Sequence, residues 1–118
     1  MKKDTFNTSF TKLLESDVSE VIPLKLIQNG RFLAMQVLSV TDETTAPARI
    51  DIGYQRGASF VPLKSFTTPA AGFTVCLETT VFMRIDDLPA CRIITGMTGD
   101  HIQIACAGYV LYADDNKD

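Results

Sequence analysis

Apolar and polar residues alternate along most of the chain between residues 21 and 112. Ile50-Asp51-Ile52-Gly53-Tyr54, Phe73-Thr74-Val75-Cys76-Leu77, Val81-Phe82-Met83-Arg84-Ile85 and Ile102-Gln103-Ile104 change face at every residue. That period of two belongs to a β-strand with one face on a core and the other on water. The pattern predicts strands over 21–28, 31–40, 48–55, 60–66, 72–78, 80–86, 92–95 and 101–112. Between them lie Asn29-Gly30, residues 41–47, Arg56-Gly57, and residues 68–72, 86–89 and 98–100, rich in turn formers. Asn29-Gly30 predicts a tight hairpin, because a two-residue type I′ turn needs positive φ at both central positions. No stretch of helical period separates the strands. The expected fold is therefore all-β, an antiparallel two-layer β-sandwich or jelly roll rather than βαβ units. In it Ile50, Ile52, Tyr54, Phe73, Val75, Leu77, Val81, Met83, Ile85, Ile102 and Ile104 should share a core, with Asp51, Thr74, Arg84 and Gln103 facing solvent or a partner.

The two ends differ in texture. Residues 1–20 are polar, with Phe6, Phe10, Leu13, Leu14 and Val18 irregularly spaced, and Phe10, Leu13 and Leu14 fit one face of a short helix. This predicts an N-terminal arm over 1–20, a single sandwich domain over 21–113, and a solvated polar tail over 114–118. Phe6, Phe10, Leu13 and Leu14 are too apolar for a free tail, so they are the expected docking residues onto an adjacent chain.

Composition sharpens the class. Thirteen Thr, nine Ile and eight Val favour pleated, half-buried backbone over helix. A length of 118 residues with 46% hydrophobic content supports one core. Net charge is −3, without the clustered Lys and Arg that neutralise phosphates, so nucleic acid is not an expected partner. Lys2 and Lys3 are followed by no apolar run, and no segment approaches the roughly 20 apolar residues of a membrane span. The expectation is a soluble protein made in the cytoplasm. Cys76, Cys91 and Cys106 are odd in number and lack Cys-x-x-Cys spacing, which reads as buried inert thiols rather than disulfides or a zinc site.

Catalytic chemistry is sparse. His101 is the sole histidine and follows a turn, with no Gly-x-Ser-x-Gly elbow, so it reads as a strand-edge residue. Asp86-Asp87 and Asp114-Asp115 lack the alternating spacing of a calcium loop and read as solvated turns. Arg56-Gly57-Ala58 is a hairpin tip that needs its glycine. Gly96-Met97-Thr98-Gly99 lacks the lysine of a phosphate loop and reads as a strand connection. There is no Trp, and Tyr54, Tyr109 and Tyr112 are the only tyrosines, a thin supply of flat faces for sugar binding. No catalytic residue, metal site or cofactor is expected.

The run Ala48-Arg49-Ile50-Asp51-Ile52-Gly53-Tyr54-Gln55-Arg56-Gly57-Ala58-Ser59-Phe60-Val61-Pro62-Leu63 resembles a recurrent hairpin of small phage virion proteins. There, an alternating strand turns through a glycine tip into an aromatic-x-Pro-Leu strand. Phe66-Thr67-Thr68-Pro69, Val81-Phe82-Met83-Arg84-Ile85-Asp86 and Thr98-Gly99-Asp100-His101-Ile102-Gln103-Ile104 follow in an order similar to that of β-sandwich decoration and head-to-tail accessory proteins of tailed phages. The resemblance covers residues 31 to 112. It implies a non-enzymatic virion protein made in the host cytoplasm, with the major capsid protein or another virion protein as partner. It also implies a homo-oligomer, with a trimer first because threefold lattice positions are common attachment points. It carries no site residues. Two other classes stay open: a receptor- or carbohydrate-binding β-sandwich, and a cupin-like enzyme, which would want several His ligands where this chain has one.

Overall fold

A computed structural model describes residues 2–24, 32–84 and 86–112. The nine strands among the described residues are β1 (Lys2–Leu13), β2 (Ser19–Pro23), β3 (Phe32–Asp42), β4 (Arg49–Arg56), β5 (Ser59–Thr67), β6 (Thr74–Leu77), β7 (Val81–Arg84), β8 (Leu88–Ile94) and β9 (His101–Tyr112). One sheet runs β1-β9-β3-β6, with β7 continuing beside β3 where β6 stops; the other runs β2-β8-β4-β5. Every pairing is antiparallel. The pairs nest: β4 with β5, β3 with β6 and β7, β2 with β8, β1 with β9. Rolling this folded-over ribbon adds β9 beside β3 and β8 beside β4. The result is an all-β sandwich with the strand order of a jelly roll, one strand of which is broken into β6 and β7.

Alternation places the core between the sheets. Leu33, Met35, Leu38 and Val40 of β3 and Ile102, Ile104 and Cys106 of β9 face Ile50 and Ile52 of β4 and Cys91 and Ile93 of β8, all buried. Two bulges interrupt the ladders, at Leu63 in β5 opposite the Ile52–Gly53 step of β4, and at Gln36 in β3 between Met35 and Val37. Each needs a glycine. A Cβ on Gly53 would lie 1.9 Å from the Val61 carbonyl oxygen, and one on Gly108 would lie 2.1 Å from that of Ala34.

The structure corrects several expectations. Residues 2–20 are not an arm: Lys2–Leu13 is a strand paired with β9 over its whole length, and the proposed boundary at residue 20 falls inside β2. The segment looked irregular because an edge strand is covered by the opposite sheet only in part, so Thr8 and Lys12 share a face with Phe6 and Phe10. Leu13 and Leu14 do not form a helical face with Phe10; Leu14 leaves the strand and packs into the core over Gly96. Asp51 is fully buried although it points away from the core. Asp87 is buried rather than solvated, and β8 begins at Leu88, inside the expected break. Phe73 is 61% exposed because it precedes β6, just after Gly72 at φ +77°. Val75, Leu77, Met83, Ile102 and Ile104 are buried, and Thr74, Arg84 and Gln103 are exposed, as the alternation predicts. The Asn29-Gly30 hairpin, Ile85 and the 114–118 tail lie outside the described residues.

Candidate interaction edge

The connection over residues 14–18 is short, so β1 and β2 end up as the outermost strands of their sheets on the same side of the sandwich. Among the described residues β1 pairs with β9 alone and β2 with β8 alone, which leaves one backbone edge of each unpaired. Between them opens a cleft of about 510 Å³, lined by Thr8, Phe10 and Lys12 from β1 and by Ile22, Pro23 and Leu24. One end is closed by charge. Lys12 Nζ lies 3.3 Å from Glu20 Oε2, joining the two sheets, and 3.0 Å from Glu15 Oε2. Hydrogen bonds to Glu15 and Glu20 hold the Lys12 ammonium above its ordinary pKa.

The four residues singled out in the sequence separate here. Phe6 and Phe10 are half-buried against the core on the inner side of β1. Leu13 is 53% exposed on the opposite face, and Leu14 is core. Phe6 and Phe10 thus stand on the inner side of the edge strand, and Leu14 has a structural role.

A second concavity lies on the outer face of the larger sheet. Ser9, Thr11, Ser39, Thr41, Thr74 and Gln103 line a depression of about 190 Å³ that carries hydroxyl and amide groups and no charged side chain. Thr41 and Thr74 share a hydrogen bond between their hydroxyls at 2.7 Å.

Three buried acidic centres escaped the sequence reading. Asp51 accepts from Ser65 Oγ at 2.6 Å and from Arg92 Nε and Nη2 at 2.9 and 2.8 Å, with Arg49 Nη2 at 3.2 Å. Burial pushes its pKa up, and the bonds from Ser65, Arg92 and Arg49 outweigh burial and hold it below the usual value. Asp87 takes a two-pronged contact from Arg56 at 2.8 and 2.7 Å, tying the β4–β5 tip to the turn before β8, and this contact lowers its pKa. Asp42 accepts the backbone N–H groups of Thr44 and Thr45 on Oδ1, while its buried Oδ2 meets no donor among the described residues. Burial, then the neighbouring Asp100 carboxyl, raise the Asp42 pKa. Asp100 is also buried, which works against ionisation, yet hydrogen bonds from Asp42, Thr45 and the Met97 N–H bring its pKa below normal. The surroundings therefore favour the protonated form of Asp42 and the ionised form of Asp100. The spacing Arg49-x-Asp51 on one strand, which sets both on the same face, was the available signal for the first centre.

Burial pushes the thiols of Cys91 and Cys106 up to about 12, and all three cysteines are free. His101 is exposed at the start of β9. Among the described residues no helix is long and apolar enough to cross a membrane. No family model, curated protein or solved structure matches the chain.

Proposed function

We propose that the chain is a non-enzymatic phage virion protein, a capsid decoration (cement) or head-to-tail accessory subunit that works through protein–protein interfaces. The observation that carries this reading is the unpaired β1 edge with its Phe-lined cleft, set on a jelly roll, an architecture shared by viral capsid domains. An exposed ladder of N–H and C=O groups beside apolar side chains is suited to accepting a strand from another protein. The hairpin resemblance over residues 48–63 points the same way. The partner is then the major capsid protein or another virion protein, the protein is homo-oligomeric, and its place is the virion after synthesis in the host cytoplasm.

The test is direct. Particles purified on a density gradient from cells carrying the encoding genome should contain the chain in stoichiometric copies, and the purified protein should rebind particles stripped of it. Its absence from the particle fraction would overturn the reading. The hydroxyl-lined depression favours a second reading, a receptor- or sugar-binding module. Titration with neutral monosaccharides, with Gln103→Ala as control, separates the two.

A further inference from the structure

We propose that β1 is self-complementary and that two copies of the chain join through it in an antiparallel, two-fold pairing centred on Thr8. The strand reads Lys2-Lys3-Asp4-Thr5-Phe6-Asn7-Thr8-Ser9-Phe10-Thr11-Lys12-Leu13. Laid antiparallel against its own copy about Thr8, it sets Phe6 opposite Phe10 and Asp4 opposite Lys12. Thr5 then meets Thr11, and Asn7 meets Ser9. Each pairing occurs twice, because a two-fold contact is reciprocal. Aromatic pairs, opposite charges and hydroxyl pairs are the cross-strand combinations that stabilise antiparallel ladders.

The faces agree with this register. Phe6, Thr8, Phe10 and Lys12 stand on the core-facing side of β1, opposite Gly108, Cys106, Ile104 and Ile102 of β9. A copy added about Thr8 keeps its own Phe6 and Phe10 on that side, over the cleft. Alternatives fit worse. A shift of the centre to Asn7 sets Phe10 opposite Asp4 and Lys12 opposite Lys2, and a shift to Ser9 sets Phe6 opposite Lys12. A centre between residues sets core-facing positions against outward ones.

The other edges of the sandwich carry the usual protections against pairing. β2 is five residues long and ends in Pro23; β5 carries Pro62 and a bulge at Leu63; β6 and β7 are four residues each. β1 alone among the outer strands is twelve residues long, with no proline and an unbroken register.

The pairing rests on the functional reading above only in taking the chain to work through interfaces. Its test uses the isolated protein, so either can fail alone. Sedimentation equilibrium should give twice the 13.0 kDa chain mass. In a Cys76→Ser background, Thr8→Cys should form a disulfide-linked dimer under mild oxidant, because the residue on the axis meets itself. Thr5→Cys and Thr11→Cys should each stay uncrosslinked alone and form a heterodimer when mixed, since directly opposite Cβ atoms sit about 5 Å apart. Asp4→Lys should weaken the dimer about tenfold by setting lysines opposite each other. A monomer at high micromolar concentration, a trimer mass, or a Thr5→Cys variant that crosslinks to itself would overturn the proposal.

Discussion

Thr68 and Thr95 hold φ of 49° and 55°, a left-handed backbone that a β-branched residue adopts at a cost of about 1 to 3 kcal/mol. Each ends a strand by donating its N–H to the flank of the neighbouring strand in the same sheet, Thr68 to the Ala48 carbonyl and Thr95 to that of Val18, both at 2.8 Å. The backbone contact fixes the conformation, and the side chain only tolerates it. Thr95→Asn should therefore stabilise the fold by about 1 kcal/mol, seen as a higher urea midpoint at unchanged slope. A lower midpoint would show that the hydroxyl contributes more than the strain takes away. Asp42, buried beside Asp100, has its own signature. Because the folded-state pKa of Asp42 is raised, its contribution is fully present below the unfolded value near 4 and is lost as pH rises through the folded one. Asp51 and Asp87, whose values are lowered, behave in the opposite sense: their contribution is present above the unfolded value and is lost as pH falls through the folded one. An amide in place of the Asp42 carboxyl carries no charge at any pH. Asp42→Asn should accordingly melt above the parent at pH 7, with the gap closing toward pH 3.5. A gap constant with pH would show that the Asp42 pKa is not raised by folding.

Elements show where sequence pattern carried the fold and where it did not. Seven of the nine strands lie largely in segments that the period of two marks, since most residues there face either the packed interior or water, and β8 meets its expected segment only at Arg92–Ile94. β1 escaped because its inner positions mix Phe6 and Phe10 with Thr8 and Lys12, a mixture an edge strand accepts and a central strand would not. The broken face of β4 has a different cause: Asp51 does point outward, but Arg49 and Arg92 close over it, so burial no longer follows the pleat. Hydropathy has no means of expressing a carboxylate buried by its own counter-ions. The Phe-lined edge was thus half legible, its residues noted and their element mistaken. Bulges were invisible for the same reason that they matter, namely that one inserted residue changes the register without changing composition. Gly53 and Gly108 are the residues these bulges demand. Gly53→Ala should cost about 3 kcal/mol or prevent folding, because the carbonyl it meets belongs to backbone and cannot turn aside. Chemical denaturation of Gly53→Ala beside Gly57→Ala, whose added Cβ meets nothing within 4 Å, separates the clash from loss of glycine freedom.

On the scale of the whole molecule, the nested pairing joins the first strand to the last. β1 and β9 are neighbours only after the chain between them has been arranged, so their contact carries the largest loop-closure entropy in the fold. The polar look of the first twenty residues implies a dispensable arm, removable without harm to the sandwich. The structure implies the reverse. Leu14 fills the space over Gly96, its N–H donates to the Asp100 carbonyl at 2.9 Å, and its carbonyl accepts from Gly99 at 2.8 Å. Asp17 Oδ1 accepts from the Thr98 N–H and hydroxyl at 2.6 and 2.8 Å, fastening the β1–β2 connection to the β8–β9 turn. A truncation beginning at Ser19 removes these bonds, uncovers β9 along its length and exposes Ile102, Ile104 and Cys106 beside an unpaired ladder. It should lose cooperative melting and aggregate. Leu14→Ala, which keeps β1 in place, should fold with a loss of about 2 to 5 kcal/mol, the range for emptying a core leucine site. A truncated protein that still melts cooperatively near the parent temperature would return residues 2–18 to the role of a detachable arm. A destabilised but folded Leu14→Ala beside an unfolded truncation would show that β1 is the strand on which the ribbon closes.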